Sequence, residues 1–350
     1  MAIEFKFLEA GSGDAILISV DGKNILVDGG EKHQFISSQL EALRESEQLL
    51  DLVVLTHIDD DHIQGILELL GKPEDRKMVQ RIWFNPFDEV RFESSAKTSE
   101  TSFKQGIEFA QLVKELKQEN DSFSYDDALF TEAKPSEIGL FDNVTIDLLS
   151  PNEEKLRKLH ETYEKYIAKH KPDKTTSRTE RTTKGSTIEE LANYRFTGDT
   201  SPCNGASIAF ILTYKKKDRF LLLADAHIDV VTDSLKRKGF STENKLKVNF
   251  VKLSHHGSKN NVNQDFLNLI ESDTFVISTD GIRHNHPDIE TLCRIIANPE
   301  RDKSKHLKFV FNYEDVHERF FSKEPQFQQE SRKQYNFSLE YLDQGDGLKF

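Results

Sequence analysis

The sequence predicts an α/β sandwich, and three observations carry that expectation. Short apolar runs of strand length alternate with amphipathic helical stretches in both halves of the chain. Several of those runs end on His and Asp clusters. No short fixed period repeats along the chain, which sets a solenoid aside.

The elements follow in order. Ile3, Phe5 and Phe7 alternate with polar residues, and the apolar runs Ala15–Val20 and Asn24–Val27 flank Asp21-Gly22, a hairpin-turn signal. Asp28-Gly29-Gly30 breaks the second run, and Phe35, Leu40, Leu43 and Leu50 give 34–50 helical spacing. A buried-type strand is expected at Leu52–Thr56, a helix from near Gly65 through Leu70, and a strand at Arg81–Phe84. Ser102–Glu119 reads as a helix and Val144–Leu149 as a strand. Strands are expected at 207–214, 219–224, 248–253, 274–278, 307–313 and 337–342, with helices at 263–270 and 289–296. One domain over 1–350 is expected, with a charged insertion at about 153–200 and C-terminal strands at about 307–350.

Composition removes several classes. The formal charge is −13, 31% of residues are charged and 36% are apolar. No run approaches the roughly 18 apolar residues of a membrane helix, and the amino terminus lacks the basic-then-apolar order of a signal peptide. Cys203 and Cys293 are the 2 cysteines, too few for a disulfide framework. A cytoplasmic protein with no membrane association is the expectation. The acidic balance argues against a general nucleic-acid-coating protein, although a local basic groove remains open. Residues 165–184 carry seven Lys or Arg against Asp173 and Glu180, a local charge of +5. This stretch reads either as a solvated insertion or as a basic flap gathering a polyanion through Lys169, Lys171, Lys174, Arg178 and Arg181.

Three segments can do chemistry. Thr56-His57-Ile58-Asp59-Asp60-Asp61-His62 sits between a strand and a helix, so its side chains can converge on one point. Imidazoles and carboxylates together suit zinc, manganese or iron. Asp60 or Asp61 could instead cap the helix, but capping leaves His57 and His62 unexplained. Asp225 ends the run Leu221–Ala224, a place from which one carboxylate can bridge two cations. His255-His256-Gly257 closes another strand, where glycine permits close backbone approach to a ligand. Asp14 and Asp28 are either turn residues or groups behind the site, Asp28 orienting a histidine through its ring N–H. His286, before Pro287, is either a loop histidine or a contact to the scissile group.

Taken together these segments resemble the metallo-β-lactamase superfamily, specifically the branch represented by the hydrolase domain of the DNA-uptake channel ComEC. The matching residues are Gly11-Ser12-Gly13-Asp14-Ala15, Ile25 to Gly30, the H-x-D-x-D-H cluster, Asp225, His255-His256-Gly257-Ser258, and Ser278 with Asn285-His286-Pro287. Asp59 stands where most of the superfamily has a second His. The resemblance implies an αββα sandwich and two divalent ions, zinc or manganese. His57 and Asp59 would hold one ion, Asp61, His62 and His256 the other, and Asp225 would bridge them. Members usually place a further His on the first ion; here Ser201 to Ser207 contains none, and Asn204 is a weak ligand or a group behind the ligands. The first ion is then under-coordinated by protein and harder in character.

The expected reaction is hydrolysis by a metal-bridging hydroxide, with a phosphodiester as the best-suited substrate. Asp61, His255 and His286 are the candidate catalytic residues, the two histidines as hydrogen-bond or proton donors to the phosphoryl group or leaving group. A nuclease is the first expectation. Hydrolysis of a small ester, lactone or phosphocholine-type diester is the second. A metal-stabilised effector subunit, acting with a partner protein in a bacterial defence-type system, is the third.

Overall fold

The computed structural model describes the chain apart from Met1, residues 87–100, Ala128, 134–136, 169–185 and 344–345. Among the described residues, two sheets form. The first has seven strands in the order Leu348–Lys349, Ile3–Phe7, Ile16–Val20, Lys23–Val27, Leu52–Val54, Arg81–Trp83 and Ser124–Asp126. The second has eight, in the order Phe337–Tyr341, Leu307–Phe311, Thr274–Ile277, Phe250–Lys252, Asp218–Leu222, Ala209–Tyr214, Val144–Ser150 and Glu137–Phe141. Each sheet is antiparallel on one side and parallel on the other.

The period of two along each strand sets the layers. Ile16, Ile18, Ile25, Val27, Leu52 and Val54 face the gap between the sheets, where Phe210, Phe220 and Phe250 meet them from the other side. Phe5 joins this layer with its ring 4.5 Å from Phe220 and edge-on to Phe250 at 4.8 Å, within the range of favourable aromatic pairs. The alternate residues Leu17, Leu26, Val53 and Leu55 face outward, under the helices Gln34–Glu45, Asp60–Gly71 and Thr101–Glu119. On the second sheet Ile211, Leu221, Leu223 and Val251 face outward beneath Ile228–Arg237 and Ile289–Ile296. The result is helix, sheet, sheet, helix. Much of the phenylalanine fills these layers; Phe5, Phe109, Phe210, Phe220 and Phe250 are among the largest fully buried side chains. No helix among the described residues is long and apolar enough to cross a membrane.

Some sequence expectations need correction. The helix expected from near Gly65 begins at Asp60, because Asp61, His62 and Ile63 already turn inward and are buried. The helix expected over 34–50 stops at Glu45; Leu50 instead bridges to Val79 beside the first sheet. The insertion expected at 153–200 is built into the fold at both ends. Leu159 and Tyr163 of Glu153–Ala168 pack in the first outer core. Ile188 and Leu191 of Ile188–Ala192 are buried in the second, behind a reciprocal Thr187–Glu190 cap. The C-terminal region, expected as strands, also contains the helices Glu314–Phe321 and Gln329–Tyr335.

This topology brings the chemical segments to one edge. Asp28, the 57–62 segment, Asp225, His255-His256 and Ser278 all follow the carboxyl ends of parallel strands, where ligands of open α/β sheets bind. Two glycines let the loops close on that edge. A Cβ on Gly13 would lie 1.7 Å from the Asp61 carbonyl, and one on Gly65 1.9 Å from the Gly29 carbonyl.

Candidate metal centre

The four histidines nearest Asp225 share one arrangement, with Nδ1 engaged and Nε2 turned toward its carboxylate. Nε2 of His62 and of His256 each lie 3.6 Å from Asp225 Oδ1. Nε2 of His57 and of His255 lie 3.9 Å and 3.8 Å from Oδ2. These separations are too long for hydrogen bonds. Asp59 Oδ2 is 3.7 Å from His57 Nε2, and Asp61 Oδ2 is 3.9 Å from His256 Nε2. The carboxylate of Asp225 thus has one group of donors at each oxygen.

The residues behind the rings fix their direction. The Thr56 N–H donates to Asp28 Oδ1 at 2.8 Å and its hydroxyl to Oδ2 at 2.7 Å. His62 Nδ1 donates to the same Oδ2 at 2.8 Å. Asp28 therefore orients His62, beyond any turn role. His57 Nδ1 lies 3.1 Å from the Thr56 hydroxyl; that hydroxyl already donates to Asp28, so the ring N–H is the donor. His256 Nδ1 donates to the Ser278 carbonyl at 2.8 Å. In each case Nδ1 is the buttressed nitrogen and Nε2 the one turned to Asp225, the arrangement from which a ring ligates a metal once Nε2 has lost its proton.

Burial makes this set expensive without a cation. Nε2 of His57, His62 and His256 and Oδ1 of Asp225 are buried with no hydrogen-bond partner, a state that costs free energy for every such atom. Helix capping does not account for the acids: the residue at the cap position is Asp59, and its side chain makes no capping hydrogen bond. The groups His57–His62–Asp225 and Asp61–His62–His256 each bring their ligand atoms within 4.8 Å of one another. Nitrogen and carboxylate donors in this pattern fit divalent zinc or manganese.

The electrostatics follow from burial and mutual proximity. Burial, with the field of His62, lowers His57 to about 3. Burial raises Asp61 to about 6, helped by Asp225 and opposed by His62. Burial opposes the charge on Asp225, but His256, His62 and His255 hold its pKa well below the usual carboxylate range. Asp225 is accordingly the fixed negative charge at the centre.

Asn204 lies behind this set. Its Nδ2 donates to Asp199 Oδ2 at 2.7 Å and is 3.4 Å from His255 Nδ1. His286 stands at the rim, its ring 5.1 Å from that of His255 and Nδ1 3.3 Å from Asp288 Oδ2. Lys169, Lys171, Lys174, Arg178 and Arg181 lie outside the described residues.

Several residues at the site escape sequence reasoning. Lys252 is fully buried and ion-pairs with Asp14, whose Oδ1 is 3.7 Å from His256 Nδ1. Its signal was a lysine inside an apolar strand. Asp199 sits in an irregular segment with no motif. Arg283 reaches the rim, Nη1 3.6 Å from Asp60 Oδ2 and 4.0 Å from Asp61 Oδ1. His284 stacks on His286 with ring centroids 6.0 Å apart.

Residues 8–122 match the Metallo-beta-lactamase superfamily. The metallo-β-lactamase match includes Asp14, Asp28 and the 57–62 segment, whereas Asp225, His255 and His256 lie beyond it. The layered sheets are those of the expected metallo-β-lactamase sandwich. No curated protein matches the chain. Among solved structures it is similar to the metallo-beta-lactamase fold protein YhfI from Bacillus subtilis, at 10% identity over 99% of each chain and TM-score 0.43. It is also similar to Zn(2+)-bound PqqB from Methylobacterium extorquens, at 12% identity over 100% of this chain and 99% of that one, TM-score 0.44. A third is the short form of human tRNase Z, at 12% identity over 100% of this chain and 98% of that one, TM-score 0.41.

Asp28→Asn should weaken metal binding by about 10–100-fold, the usual cost of losing a carboxylate behind a ligating histidine. Titration of the metal-free variant with zinc against a competing chelator checks this.

Proposed function

We propose that the protein is a dinuclear, metal-dependent phosphodiesterase that acts on nucleic acid. The observation that carries this reading is the division of donors by Asp225, with His57 at one carboxylate oxygen and His62 and His256 at the other. In this reading His57 and Asp59 hold one divalent ion, Asp61, His62 and His256 hold the second, and Asp225 bridges them. The pair, when bound, acidifies a water and neutralises charge on a phosphoryl oxygen.

The chain's own residues do the rest. Asp28 and the Ser278 carbonyl fix the rings of His62 and His256, so the donors need no rearrangement during turnover. Three carboxylate ligands make a hard donor set, which favours phosphoryl oxygen over a lactam carbonyl. In this reading Arg283, its side chain 44% exposed at the rim beside Asp60, meets a non-bridging phosphate oxygen. In this reading His286, its ring 5.1 Å from that of His255, donates a hydrogen bond toward the leaving group. The +5 stretch at 165–184 supports a polyanionic substrate through long-range attraction in an otherwise acidic chain. The ComEC-type motif pattern, with Asp59 in the second position of the cluster, supports nucleic acid over a small ester.

The test is hydrolysis by protein loaded with manganese or zinc, using plasmid DNA, single-stranded DNA and RNA, bis(p-nitrophenyl) phosphate and a chromogenic lactone. The expected result is metal-dependent diester cleavage. Arg283→Ala should raise KM about tenfold with little change in kcat, the size of one charged hydrogen bond. Lactone cleavage with inert diesters would overturn the reading in favour of a small-ester hydrolase. Inactivity on every substrate, with co-purification of a partner protein, would overturn it in favour of an effector subunit.

A further inference from the structure

We infer that His255 is a ligand of the first ion, the one beside His57 and Asp59, rather than a proton donor. The inference rests on the dinuclear reading above and adds the protein ligand that reading leaves missing. Without it, His57, Asp59 and Asp225 are three protein donors on that side, while Asp61, His62, His256 and Asp225 make four on the other.

The geometry treats His255 as the counterpart of His57. Their Nε2 atoms lie 3.8 Å and 3.9 Å from the same oxygen of Asp225. This mirrors His62 and His256, each 3.6 Å from the other oxygen. His255 also shares the buttress that marks the other three rings. Its Nδ1 lies 3.3 Å from Asp199 Oδ2 and 3.2 Å from Asn261 Oδ1, acceptors that engage Nδ1 and leave Nε2 as the nitrogen facing Asp225.

Asp199 is itself held. Asn204 Nδ2 donates to its Oδ2 at 2.7 Å and Asn261 Nδ2 at 3.1 Å. Asn204 therefore acts at one remove: it positions Asp199, which positions His255. The backbone points the same way. His255 and His256 both occupy the left-handed region, with φ of 46° and 55°. Two successive non-glycine residues in that region are costly, and such strain clusters where side chains must be aimed at a ligand. Here it turns two adjacent rings onto the two oxygens of one carboxylate.

The experiment uses the full-length protein stripped of metal and titrated with zinc and, separately, manganese. Elemental analysis follows gel filtration, and crystals soaked in either metal are measured for anomalous scattering. The variants are His255→Gly, which suits the left-handed backbone without a side chain, and His255→Asn, which tolerates the same φ. The wild type should hold two ions per chain. Both variants should keep one at full affinity, bind the other at least tenfold more weakly, and lose the anomalous peak beside His57 and Asp59. Asp199→Asn should weaken the same ion and leave the other unchanged. Two ions at wild-type affinity in either His255 variant, with both peaks present, would overturn the assignment of His255 alone. A wild type that binds no metal would overturn the dinuclear reading and this inference with it.

Discussion

Asp225→Asn is expected to lower phosphodiester hydrolysis and binding of at least one ion by about 100-fold or more. That figure is the upper range for loss of a group that merely supports a ligand, and Asp225 stands closer than that. Each of its oxygens faces two imidazoles: His57 and His255 lie at Oδ2, 3.9 Å and 3.8 Å away, and His62 and His256 at Oδ1, both 3.6 Å away. An amide offers one oxygen instead of two and carries no charge, so it cannot serve both groups of donors. The side chain is of nearly the same size, and the fold should survive. Kinetics on bis(p-nitrophenyl) phosphate, with metal content measured on the same samples, check the result. Retention of both ions and of turnover would remove Asp225 from its central place.

Lys252→Met is expected to destabilise the protein by about 3–5 kcal/mol, the range for removing one partner of a buried ion pair. Lys252 is fully buried and Asp14 is 2% exposed, so neither charge can turn to water. The pair lies between the sheets directly behind His256, with Asp14 Oδ1 3.7 Å from its Nδ1. Removing the lysine leaves the carboxylate buried beside an imidazole that needs its free lone pair for a metal. The double variant Lys252→Met, Asp14→Leu should recover most of the lost stability, because no charge is then stranded. Urea unfolding of the two single variants and the double variant measures this coupling. Equal stability of Lys252→Met and the wild type would contradict the account of the pair.

The layers and the gathering of most candidate ligands at one edge were legible in the sequence for a common reason. Strand burial has a period of two, which the alternation of Ile3, Phe5 and Phe7 exposes directly, whereas the unbroken run Leu52 to Leu55 marks a strand buried on both faces. The candidate ligands end strands, so His57, Asp225 and His256 stand out where apolar runs stop. The start of the Asp60–Gly71 helix was harder to read because its first turn is made of acids and a histidine turned inward, with no apolar spacing to mark it. Ile188–Ala192 was hidden by the polar stretch before it, although its Thr187–Glu190 cap is a local signal. Asp199 and Arg283 reach the site from irregular segments, where position depends on tertiary packing rather than on any period. Lys252 was legible only as an anomaly in a strand. Its partner lies 238 residues away in sequence.

Anomalous diffraction from crystals grown with excess manganese or zinc decides whether a metal pair sits at Asp225. Two peaks about 3.5–4 Å apart, the spacing of two-metal hydrolytic sites, are expected, one on each side of the Asp225 carboxylate. Strong anomalous signal elsewhere in the crystal with none among His57, His62, His256 and Asp225 would contradict that expectation.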